Sequence, residues 1–98
     1  MRIVSTAIRQ SARGKDCTLR IPGVCEPTNR TVVFAHINSK WKGMGIKSPD
    51  IFGCYACGSC HRELDANKVP AEDQLRAMQE TQMSFCEEEL ITVKGVTQ

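Results

Sequence analysis

Ninety-eight residues, 41% of them hydrophobic and 24% charged, allow one domain whose core is small enough to gain from a covalent or metal staple. The net charge of +2 hides a division: residues 1–47 carry nine basic side chains against Asp16 and Glu26, a balance of +7, and residues 48–98 balance at −5. A basic half suits a polyanion such as nucleic acid, while no run long and apolar enough for a membrane span or a signal peptide is present, which predicts a cytoplasmic chain with no membrane partner.

In chain order, residues 5–13 hold good helix formers and stop at Gly14. Cys17 and Cys25 flank the turn dipeptide Pro22-Gly23, so a tight loop should bring the two thiols back toward each other. Residues 30–37, rich in β-branched and aromatic side chains, are the clearest strand, with His36 near its end. Residues 38–49 form a basic, glycine-broken loop holding Trp41, the only tryptophan. Trp41 is either a core plug beneath that loop or an exposed ring for stacking. Asp50 is expected to cap a short turn leading into Cys54-Tyr-Ala-Cys-Gly-Ser-Cys-His61. A short helix should follow Cys60, and a longer one should start near Pro70 and reach about Glu88 with Leu75, Met78 and Met83 facing the core. Residues 90–94 are expected to close the fold as a last strand. The architecture implied is α+β, one domain over residues 1–98.

Three of the six cysteines and one of the two histidines fall within residues 54–61. Cys57-x2-Cys60 with Cys17-x7-Cys25 supplies four thiolates for one tetrahedral zinc ion, a structural site whose burial adds folding energy. A disulfide pair or free core thiols are the alternatives. Cys54 and Cys86 read as small apolar residues packing inward. Cys57-Gly-Ser-Cys-His61 also has covalent-haem spacing, but haem attachment follows export and the upstream cysteines would have no role, so no haem is expected. An iron–sulfur run lacks its cysteine-proline, and a thioredoxin-type pair lacks its βαβ setting. His61 and Asp65, four apart, share a helix face and can hold a hard divalent cation while leaving positions open for a phosphate oxygen.

The order of a cysteine pair, a strand ending Ala35-His36-Ile37, a loop, Asp50, and C-x-x-C-His opening a helix resembles the HNH, or ββα-metal, endonucleases with an embedded treble-clef zinc site. Residues 12–25, Ala35-His-Ile and Ala56-Cys-Gly-Ser-Cys-His look, more narrowly, like the phage and prophage "putative nuclease" family typified by YbcO. That resemblance spans roughly residues 7–66. It implies a zinc-bound treble-clef core over about residues 12–67, an added C-terminal helix over about 70–88, and phosphodiester hydrolysis of DNA with Mg²⁺ or Mn²⁺. On it, His36 matches the general base and His61 the metal ligand closing the motif. Asp65 matches a ligand placed one turn on, and Asp50 falls near the middle asparagine. Ala35 stands where the family places a metal-binding acid or histidine, so Asp50 or Asp65 would have to make up the ligand set. Lys40, Trp41, Lys42 and Lys47 would grip the DNA backbone and stack on an unpaired base. The rival reading is a non-catalytic zinc module that binds nucleic acid.

Overall fold

Helix α1 (Thr6–Gln10), strands β1 (Val33–His36) and β2 (Gly53–Ala56), and helices α2 (Gly58–Asp65) and α3 (Ala71–Glu87) follow in that order in a computed structural model, which describes residues 3–42 and 47–96. Residues 43–46, the middle of the expected basic loop, lie outside the described residues. The strands pair antiparallel from Val33↔Ala56 to His36↔Gly53. Alternation along β1 sends Phe34 and His36 to one side and Ala35, 1% exposed, into the core.

Each helix starts where local chemistry requires. The Ser5 hydroxyl accepts the Ile8 N–H at the head of α1. Cys57 caps α2, its sulfur accepting the Cys60 N–H, and Pro70 sits just ahead of α3 with Glu72 and Asp73 in the first turn. Both longer helices end in left-handed residues. After α2, Asn67 (φ 59°) donates to the Leu64 carbonyl and Lys68 to that of Glu63. After α3, Glu89 (φ 57°) donates to Cys86 and Leu90 to Phe85. Both are paired i→i−3 and i→i−5 closures that satisfy the last carbonyls.

This second closure explains why no strand forms at 90–94. Leu90 and Ile91 are folded back onto the Phe85 carbonyl, and residues 92–96 are exposed. The core-facing stripe of α3 also differs from expectation. Ala77, Thr81 and Phe85 are buried, whereas Leu75 and Met83 are 52% and 60% exposed and only Met78 lies part-buried. The hydrophobic count favoured Leu75 and Met83, but the helix is rotated so that Ala77, Thr81 and Phe85 face the core, with Thr81 Oγ1 3.4 Å from the Tyr55 nitrogen on β2. Cys86, expected inside, is likewise exposed.

Phe85 anchors the core, with ring centroids 6.1 Å from Phe34 and 6.2 Å from Tyr55. Burying such a ring is worth about 2–3 kcal/mol. The Tyr55 hydroxyl reaches Ser11 at 2.8 Å, so its polar tip is satisfied inside. Arg76 on α3 donates to the carbonyls of Thr18 (2.7 Å) and Leu19 (2.9 Å), and Arg20 pairs with Glu80 through two 2.7 Å contacts. The long helix is thereby pinned onto the loop that carries Cys17. Among the described residues no helix is long and apolar enough to cross a membrane.

Candidate functional site

Two centres lie on opposite ends of the Cys57–Asp65 segment. At its start, Cys17, Cys25, Cys57 and Cys60 bring their sulfurs within 4.8 Å of one another, and all are free thiols. The loop after Cys17 makes this possible: Gly23 adopts φ 76°, and the N–H groups of Val24 and Cys25 both return to the Ile21 carbonyl. Four sulfurs each about 2.3 Å from a tetrahedral ion fit that separation, so the set could hold a metal ion. Backbone N–H groups of Glu26 and Cys60 point at the Cys57 sulfur at 3.4 and 3.5 Å. Burial pushes that thiol up, but these donors outweigh it and leave Cys57 below its ordinary value. Burial beside the other thiols pushes Cys25 up to about 11 and raises Cys60 further. A cation is what would draw the protons off such a crowded set. The Glu26 carboxylate braces the centre from outside, accepting the Ser59 N–H at 2.8 Å and the Thr31 hydroxyl at 3.1 Å. Cys54 stays apart as a core thiol pushed up to about 12 by burial, which makes it inert.

At the other end of α2 a cleft of about 330 Å³ opens between the sheet and the helix, lined by His36, His61 and Asp65 together with Lys42 and Lys47. His61 and Asp65 are one turn apart on α2, with Nε2 and Oδ2 3.5 Å from each other. His61 is about one third exposed and Asp65 mostly exposed, so both remain reachable from solvent. Phe34 underlies the cleft, edge-on to His36 with centroids 5.1 Å apart. Gly53 is required there, since a Cβ at that position would lie 2.2 Å from the Phe34 ring.

Asp50 sits in the turn entering β2, but its side chain bonds to distant partners instead of capping that turn. Its carboxylate is fully buried and accepts the Ser5 N–H (2.6 Å) and Arg9 Nε (2.9 Å), while His36 Nε2 sits 2.7 Å from Oδ1. Burial works against its charge, but His36, the Ser5 N–H and Arg9 together hold the carboxyl below the usual aspartate range. With both oxygens engaged and no part in lining the cleft, Asp50 is placed to orient His36 rather than to join His61 and Asp65. An Nε2–H directed at Oδ1 leaves Nδ1 of His36 as the basic nitrogen.

The basic loop is only partly gathered. Lys42 and Lys47 line the cleft, and Lys42 Nζ donates to Asn38 Oδ1 at 2.8 Å. Trp41 is no core plug: it is 53% exposed, leans on Phe52 at 5.6 Å, and carries Lys40 Nζ 4.7 Å above its ring. The sequence reading missed Asn38 and Arg9. Asn38 lies two residues after His36, so strand alternation could have flagged it. Nothing local pointed to Arg9, whose partner is 41 residues away.

Fold and site together define a small α+β domain in which a four-thiol centre and a histidine–carboxylate cleft share one helix. A family profile described as "Putative nuclease YbcO" matches residues 6–94. "Putative nuclease YbcO" of Escherichia coli (strain K12) is 37% identical over 91 residues, covering 86% of this chain and 95% of its own length. A "Putative nuclease ybcO" of Enterobacteria phage 82 matches to the same extent. A solved structure titled as a putative bacteriophage protein from Escherichia coli K-12 superposes with a TM-score of 0.66 at 36% identity, covering 85% of this chain and all of that one. The chain belongs to the YbcO family of nuclease-named proteins.

Proposed function

We propose that this protein is an HNH-type endonuclease that hydrolyses phosphodiester bonds of DNA, built on a treble-clef zinc site formed by Cys17, Cys25, Cys57 and Cys60. The observation that carries the reading is the convergence of His36 with His61 and Asp65 in one cleft beside Lys42 and Lys47. Family names support nuclease activity, and the chemistry of these side chains supports the rest.

On this proposal Nδ1 of His36 takes a proton from water as that water attacks phosphorus in line with the leaving O3′. Asp50 holds the ring in the required tautomer and stabilises the imidazolium that forms. His61 and Asp65 would hold a divalent ion, Mg²⁺ or Mn²⁺, which when bound supplies charge stabilisation on the scissile phosphate and the departing oxygen. Lys42 and Lys47 draw the backbone into the cleft, and Lys40 and Trp41 extend the contact along the strand.

The decisive experiment is nicking of plasmid DNA with added Mg²⁺ or Mn²⁺. His36→Ala should lose about two to four powers of ten in rate while keeping its metal content and DNA affinity. His61→Ala should also lose cleavage, with partial recovery at high divalent concentration. Clean wild-type protein that cuts with neither ion, or a His36→Ala variant that cuts normally, sinks the proposal.

One observation favours the rival, a nucleic-acid-binding module without activity. Ala35 lies in the core, and His61 and Asp65 are the only His, Cys, Asp or Glu side chains besides His36 lining the cleft among the described residues. Intact DNA affinity with no cleavage would select that reading.

A further inference from the structure

A second cavity, of about 150 Å³, adjoins the cleft. It shares His36, Asn38, Lys42 and Asp65 with it and is closed by Leu64, Asn67 and Gln74. Hydrolysis as described uses none of the last three. Three carboxamides around one small space are chemically pointed, because each offers both a donor and an acceptor. Two of them are already half committed. Asn38 Oδ1 accepts from Lys42 Nζ at 2.8 Å, which turns its NH₂ into the part available for a ligand. Gln74 Nε2 donates to the Val69 carbonyl at 2.8 Å, which leaves Oε1 as an acceptor. Asn67 has its backbone set by the left-handed closure of α2. The cavity therefore presents amide donors and acceptors on a wall whose exposed surface is polar.

We infer that this cavity is a nucleobase subsite, taking the unpaired base of a nucleotide next to the phosphate held at His36, His61 and Asp65. The inference rests on the proposed nuclease reading and names its substrate class: nucleic acid with an extrahelical or single-stranded nucleotide at the cut. Size agrees, since a cavity near 150 Å³ holds a benzene-sized ring or about five waters. Mixed amide donors and acceptors match the hydrogen-bonding edge of a base. A base reaches such a pocket only after leaving its stack, so a nucleotide that is already unpaired is favoured over paired duplex.

The test measures binding by fluorescence anisotropy with the full chain and no added divalent ion. Three labelled duplexes are compared: fully paired, with one bulged nucleotide, and with the same bulge made abasic. The bulged base should bind about ten-fold more tightly than either control, in the range of one well-made base contact. The abasic bulge separates base capture from mere flexibility of the duplex. Asn67→Gly, which keeps the left-handed turn, and Gln74→Met should each shrink the gain, and together they should remove it. Melting temperatures near wild type would certify both variants as folded, and Asn67→Gly alone decides the matter if the pair is not. Equal binding of the bulged and abasic duplexes, or a gain that survives in folded variants, overturns the inference. Cleavage of the bulged duplex with Mg²⁺ or Mn²⁺ is scored separately. No cleavage with an intact base-dependent gain sinks the nuclease reading and leaves the subsite standing.

Discussion

Replacing Asp50 with Asn exchanges one oxygen for an NH₂ on a fully buried carboxylate whose two oxygens are both bonded. The carboxylate takes Ser5 N at 2.6 Å, Arg9 Nε at 2.9 Å and His36 Nε2 at 2.7 Å, all from donors. An asparagine has one oxygen to offer, so its NH₂ must face either the Ser5 and Arg9 donors or the histidine. The first choice sets donor against donor, so the NH₂ turns to His36 and forces the proton onto Nδ1. One or two charge-assisted hydrogen bonds at about 1.5–3 kcal/mol each are lost, and the relief of burying a charge returns part of that. A net loss of about 2–4 kcal/mol would lower the melting temperature by roughly 10 °C or more in a domain of this size. If the nuclease proposal holds, the wrong tautomer should also cost up to about four powers of ten in cleavage rate. The pH dependence has a definite sign. The folded carboxyl is held below its ordinary 3.8, so the unfolded chain binds the proton more tightly and stability rises with pH. The contribution is complete above about pH 4–5 and drains away as pH falls through the lower folded value. Thermal melts of wild type and Asp50→Asn from neutrality down to about pH 3 should therefore converge. Parallel curves across that range, or an Asn variant that melts and cuts like wild type, would refute the reasoning.

The four-thiol centre predicts one tightly held zinc per chain, measurable by elemental analysis, and Cys57→Ser or Cys17→Ser should release it with a sharp drop in melting temperature. Because the ligands must be thiolates, acidification or a strong chelator should unfold the wild type at temperatures where it is otherwise stable; metal-free protein with cystines at these positions under reducing conditions would exclude the site. DNA affinity should fall steeply with salt, and Lys40→Ala with Lys42→Ala should lower the slope of log affinity against log salt by about two. Affinity that ignores salt would remove the basic half as the footprint.

The cysteine arithmetic was legible because metal ligation is a property of spacing and turn chemistry. The Pro22-Gly23 turn and the Cys57-x2-Cys60 pair were visible locally, and the thiols do converge. His36 at the end of β1 and the shared face of His61 and Asp65 followed from the periods of strand and helix. What sequence could not reveal was rotation and reach. The buried stripe of α3 runs through Ala77, Thr81 and Phe85, and which face turns inward is set by the tertiary packing against β2. The strand expected at 90–94 was overridden by the Glu89 and Leu90 closure, a backbone event that glutamate does not advertise. Asp50 looked like a local cap because carboxylates often are, while its real partners lie 45, 41 and 14 residues away.

Ala35 shows how a motif can be kept while its parts are redistributed. Resemblance to the HNH pattern marks it as the position of a missing metal-binding acid, which suggests simple restoration by Ala35→Asp. The fold argues against that. Ala35 sits opposite Cys54 in the sheet, 1% exposed, on the side of β1 away from His36 and the cleft. A carboxylate placed there would be buried among apolar side chains at a cost of several kcal/mol and would not reach the ion. The acid that serves His36 instead comes from Asp50, on the turn entering β2, and it serves by hydrogen bonding to the ring. On the proposed mechanism the two tasks of the motif are then split. Asp50 and His36 form the proton-transfer pair, and one face of α2 supplies the divalent site through His61 and Asp65. A site with two protein ligands leaves most coordination positions to water and phosphate, so the ion would bind weakly alone and more firmly with DNA in place.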